Sequence, residues 1–108
     1  MTGHLEPSAS VPTVTVTDAH QRPDGIVLLD VREPVEWAEG HAPGATHRPL
    51  GQLDAAAVPG DATVYVICRS GNRSAAGTRA LRAAGIDAAN VAGGMIAWAD
   101  AGLPVSHD

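Results

Sequence analysis

Two short, continuous apolar runs, Ile26 to Val31 (IVLLDV) and Thr63 to Ile67 (TVYVI), constrain this chain more than any other feature. Each is rich in β-branched residues, bounded by Gly, Asp or Pro, and too short for a buried helix, as expected of strands covered on both faces. Stretches of helical character separate and follow them. Glu33-Pro34 opens a helix through Glu39, with Pro tolerated in the first turn and Gly40 as the stop. From Ser74 to Ala84, residues Ala76, Ala80, Leu81 and Ala84 share one helical face, with Arg79 and Arg82 turned away and Gly85 ending the helix. Val11 to Thr17 (VPTVTVT) alternates with the period of a strand and reads as the first one. A short strand at Ala89 to Ala92 and a helix at Met95 to Ala101 complete the pattern, closed by Gly102-Leu103-Pro104. Strands alternating with helices predict an α/β fold: one mostly parallel sheet of about five strands, with helices on both faces.

A length of 108 residues fits one domain, expected over residues 11–104, with loose tails at 1–10 and 105–108 and no internal repeat. Apolar residues make up 44% of the chain and charged residues 18%, the balance of a water-soluble globule. No apolar run spans a bilayer, and the acidic start lacks the features of a secretory signal, so no membrane partner and a cytoplasmic location are expected. A net charge of −5 argues against a nucleic-acid partner. Four of the seven cations, Arg69, Arg73, Arg79 and Arg82, nevertheless crowd into one segment, which allows a locally positive site.

The single cysteine, Cys68, excludes an internal disulfide, a dithiol pair and a multi-cysteine zinc site. It ends a strand and is followed by Arg69-Ser70-Gly71-Asn72-Arg73-Ser74, a polar loop running directly into a helix. Ligands of open α/β sheets bind at such carboxyl ends. Backbone N–H groups curled in a loop of this kind, with the helix N-terminus behind them, stabilise negative charge and depress a thiol pKa without a histidine base. Gly71 supplies backbone freedom, and Arg69 and Arg73 can hold an oxyanion through forked hydrogen bonds. A solvated surface charge fits Arg69 equally well. An inert buried cysteine would leave this loop, poor as core sequence, without a reason.

These residues resemble the rhodanese family over nearly the whole chain. CRSGNRS, Cys68 to Ser74, is similar to the family's cysteine loop, with Cys68 in the place of the persulfide-forming nucleophile. Asp30-Val31-Arg32, Glu36-Trp37 and Gly40 to Ala45 resemble its first signature, and Gly93-Gly94-Met95-Ile96-Ala97-Trp98 its C-terminal element. Ala42 stands where the family often has a larger aliphatic residue. Asp30 and Arg32, set to support the loop, read first as a buried ion pair, with orientation of the loop or ligand as the alternative. Glu36 reads as a structural partner, Trp37 as core, and His41 as the tie of a turn. His47, His4 and His107 form no ligand-like group, so neither metal nor cofactor is expected.

The resemblance implies a sulfurtransferase that takes a sulfane sulfur from a donor such as thiosulfate and passes it to a thiol or cyanide through a Cys68 persulfide. Three alternatives stand beside it: a carrier moving sulfur between proteins, a mercaptopyruvate-using enzyme, and a cysteine-dependent phosphatase or arsenate reductase. The last uses a similar cradle, but with five residues between Cys and Arg rather than the four between Cys68 and Arg73.

Overall fold

A computed structural model describes residues 11–108; the tail expected at 1–10 lies outside the described residues. Five strands form one sheet in the order β1-β5-β4-β2-β3, every pairing parallel: β1 (Thr13–Val14), β2 (Ile26–Asp30), β3 (Thr46–His47), β4 (Thr63–Ile67) and β5 (Asp87–Val91). The helices are α1 (Val16–His20), α2 (Pro34–Ala38), α3 (Asn72–Ala83) and α4 (Gly94–Asp100), with two 3-10 turns at Leu50–Gln52 and Ala55–Ala57.

The pleat of the two central strands sorts their side chains by parity, so that alternate residues serve opposite cores. Val27, Leu29 and Val31 of the β2 segment join Val64, Val66 and Cys68 of the β4 segment against Leu81 of α3. Leu28, Tyr65 and Ile67 face the other way, toward Val16 and Ala19 of α1 and Trp98 of α4. Helices therefore cover both faces.

Three expectations are corrected. Val11 to Thr17 is not one strand: pairing covers only Thr13–Val14, because Thr15 and Asp18 form a reciprocal capping box that starts α1. The buried face of α3 is Ser74, Gly77, Thr78 and Leu81 rather than Ala76, Ala80, Leu81 and Ala84, of which only Leu81 is buried. Small residues there let the helix sit close to the sheet; a Cβ on Gly77 would lie 3.4 Å from Val66 and 3.5 Å from Leu50 and Leu53. The segment expected as a loose C-terminal tail is bonded to the loop after α2, through His41 N–H to the Ser106 carbonyl at 2.9 Å and Ser106 N–H to the His41 carbonyl at 2.7 Å.

Candidate active site

Cys68 follows the last residue of β4, at the carboxyl end of the sheet, and is 1% exposed. The loop after it turns through Gly71, whose φ of 111° a residue with a side chain resists, and α3 begins at once. This turn carries the Gly71 N–H to 3.1 Å from the Cys68 sulfur, while the Ser74 hydroxyl lies 3.2 Å away on the other side. Burial pushes the thiol pKa up. The Ser74 hydroxyl and the N–H groups of Ser74, Gly71 and Ser70 more than offset it, leaving Cys68 below the ordinary thiol value.

The start of α4 fixes the loop from outside. Met95 N–H donates to the Cys68 carbonyl at 2.8 Å and Ile96 N–H to that of Arg69 at 3.0 Å. Gly94 makes this approach possible, since a Cβ there would stand 2.3 Å from the Cys68 carbonyl oxygen. Beside the loop, a cleft is lined by Arg32, Glu36, Arg69, Met95 and Ile96 among others.

A family model, the rhodanese-like domain, matches residues 13–101. The chain belongs to the rhodanese-like domain family. A solved rhodanese-related protein from Thermoplasma volcanium superposes on this rhodanese-like domain with a TM-score of 0.84 and 30% identity, covering 90% of this chain and 99% of that one. A protein named sulfurtransferase from Allochromatium vinosum is 36% identical over 85 residues, 76% of this chain and 79% of its own. A Bacillus subtilis protein named putative sulfur carrier is 33% identical over 99 residues, 86% of this chain and 54% of its own. The chain thus spans about half the length of the Bacillus relative.

Within this rhodanese-like domain the residues singled out from the sequence take different places. Asp30 and Arg32 are a buried ion pair: Arg32 Nε donates to the Asp30 carboxylate, 3.0 Å from each oxygen, Nη2 lies 2.8 Å from Oδ2, and the same Nη2 donates to the Gly40 carbonyl at 2.9 Å. Ser70 and Asn72 are exposed, and so is Arg69 at the cleft. The fork of Arg73, expected to hold an oxyanion, is engaged by Glu36. Both of its terminal nitrogens already donate to Glu36, at 2.7 and 2.8 Å, so a ligand would have to displace a carboxylate. The Arg73 guanidinium holds the Glu36 carboxyl down at about 2.

His41 is no partner of Cys68. Its Nδ1 lies 3.0 Å from the Trp37 carbonyl and its Nε2 3.1 Å from the Asp108 carboxylate. Trp37, read from the sequence as core, is only half-buried and stacks with both His41, with centroids 3.5 Å apart, and His47, at 4.7 Å. Among the described residues no three His, Cys, Asp or Glu side chains gather as a metal site, and no helix is long and apolar enough to cross a membrane.

Sequence reasoning passed over Asn90. It accepts from the Ser74 hydroxyl at 2.5 Å and donates to the Gly71 carbonyl at 3.3 Å. A polar amide inside the short strand Ala88-Ala89-Asn90-Val91 was the available signal, since a central strand rarely keeps such a group without a bonding purpose.

Proposed function

We propose that this domain is a sulfurtransferase working through a persulfide on Cys68. The observation that carries the reading is the convergence of backbone N–H groups and one hydroxyl on a single buried sulfur, which favours its anion. The thiolate attacks the outer sulfur of a sulfane donor such as thiosulfate. The donor's S–S bond breaks, sulfite departs with the bonding pair, and the new persulfide anion lies among the loop amides. An acceptor thiol, or cyanide in the test tube, then attacks the outer sulfur and releases Cys68 as thiolate. With no second cysteine in the chain, no internal thiol intercepts the persulfide. Ser70, Gly71, Asn72 and Ser74 form the loop's anion cradle. Since Arg73 is held by Glu36, Arg69 at the cleft is the cation left for a charged donor.

A second reading, transfer between protein partners with little turnover of small molecules, is favoured by the 1% exposure of Cys68 and by the relative named a putative sulfur carrier. The phosphatase reading loses support because Arg73 does not offer its fork. Intact-mass measurement after treatment with thiosulfate, 3-mercaptopyruvate or a protein persulfide tests the proposal. One added sulfur is expected on the wild type and none on Cys68→Ser. Absence of added sulfur with every donor, or aryl phosphate hydrolysis that disappears in Cys68→Ser, would overturn it.

A further inference from the structure

Asn90 is a carboxamide in an interior strand, registered between Thr13 of β1 and Val66 of β4, and the reaction proposed above makes no use of it. Its orientation is determined by its partners. Nδ2 donates to the Gly71 carbonyl; turned round, Oδ1 would face that carbonyl and two acceptors would meet. Oδ1 therefore faces the Ser74 hydroxyl, on a serine with no exposed surface. Ser74 has one hydroxyl proton and two neighbours that want it, Asn90 Oδ1 at 2.5 Å and the Cys68 sulfur at 3.2 Å.

With the proton on the Asn90 side, Ser74 bonds the sulfur only as an acceptor, and the sulfur must then be a thiol. With the proton on the sulfur side, Ser74 supports a thiolate, but the Asn90 Oδ1 loses this donor. We propose that Asn90 is a positioning residue that sets the charge state of Cys68 through Ser74, holding the hydroxyl proton away from a resting thiol and yielding it when the sulfur ionises. Ionisation sends the thiol proton to water and rotates the hydroxyl proton from Oδ1 to Sγ, with no heavy-atom bond made or broken. The loop amides favour the anion and Asn90 opposes it. The two together leave Cys68 less reactive at rest than the cradle alone would make it.

The charged groups of the neighbouring elements make no hydrogen bond within this relay, although the Arg73 guanidinium and a Cys68 thiolate attract each other across space. Arg73 of α3 is paired with Glu36 of α2, Arg32 with Asp30 at the end of β2, Asp87 at the start of β5 bonds Thr63, and Arg69 and Asp100 line the cleft. None of them bonds Ser74 or Asn90. The use of the thiolate rests on the sulfurtransferase reading, whereas the relay is measured on the full chain without any donor.

Because Cys68 is the sole thiol, the absorbance against pH, read as the difference from Cys68→Ser, reports it alone. Losing one competing hydrogen bond, a net effect of about 0.5–1.5 kcal/mol, lowers the Asn90→Ala midpoint by about 0.4–1 pH unit, roughly a threefold to tenfold larger thiolate fraction at a fixed pH below it. In a Ser74→Ala background the same substitution leaves the midpoint where it is. A raised midpoint in Asn90→Ala, or an equal shift with and without Ser74, would sink the relay. Should Asn90→Ala fail to fold, the side-chain amide resonances of Asn90 in the wild type decide instead: they titrate with the thiolate midpoint, and resonances that stay still overturn the inference. Failure of the persulfide assay with an intact relay would reject the sulfurtransferase reading alone.

Discussion

Gly94 shows how one position without a side chain lets two segments share the site. Its φ is +55°, and the space where a Cβ would go is already occupied by the backbone carbonyls of Cys68 and Arg69, at 2.3 and 2.5 Å. Neither obstacle is a flexible side chain, so Gly94→Ala displaces the cysteine loop itself. The left-handed backbone alone costs a residue such as alanine about 1–2 kcal/mol, which in a domain of this size lowers Tm by at least about 4–8 °C. Sulfur loading of Cys68 is expected to fall further than stability does, because the Met95 N–H bond to the Cys68 carbonyl is strained with it. A variant that keeps both Tm and loading would show that the loop tolerates the movement. At this scale the cysteine and its loop were legible, since an anion cradle is local in sequence. The partners of Arg73 and Ser74 were not: Glu36 and Asn90 lie 37 and 16 positions away, and only the fold brings them together.

Elements were legible where hydrophobic periodicity and end signals agreed, as in β2, β4 and α2. The alternation of Val with Thr misled at α1, where the Thr15–Asp18 capping box decided the outcome, and apolar spacing misled at α3, whose buried face, Leu81 apart, is made of the small residues Ser74, Gly77 and Thr78. The joint between α2 and α3 is the Glu36–Arg73 pair, whose carboxylate also accepts the Glu33 N–H at the start of α2, at 3.0 Å. The folded-state pKa of Glu36, about 2, lies below its ordinary 4.5, so the stability it contributes is present above 4.5 and fades as pH falls from there toward about 2. The side chains are 21% and 35% exposed, which discounts the pair to about 1 kcal/mol. Urea unfolding should find Glu36→Gln less stable than wild type by about that amount at neutral pH, the gap narrowing in acid. A gap unchanged by acid would mean that lost packing, not lost charge, destabilises the variant.

The whole molecule behaves as one unit if its two cores are joined by the sheet between them. Val66 and Ile67 are neighbours in β4, yet one belongs to the core with Leu81 and the other to the core with Trp98, so disturbing either side strains the same strand. Leu81 and Trp98 have no exposed surface, and Trp98 Nε1 also donates to the Pro104 carbonyl at 2.8 Å, joining the chain's end to the second core. Leu81→Ala is expected to cost about 2–5 kcal/mol and Trp98→Ala about 3–5 kcal/mol, the range for large side chains removed from a packed interior. Each variant should still unfold in a single transition that coincides by circular dichroism and by the thiolate absorbance of Cys68, which sits in the Leu81 core but is clamped by α4 from the other side. Separate transitions in Trp98→Ala, with the Cys68 environment persisting after α4 has melted, would mean that the loop's anion-favouring geometry survives without its clamp. Coincident loss would mean that the chemistry at Cys68 depends on both layers at once.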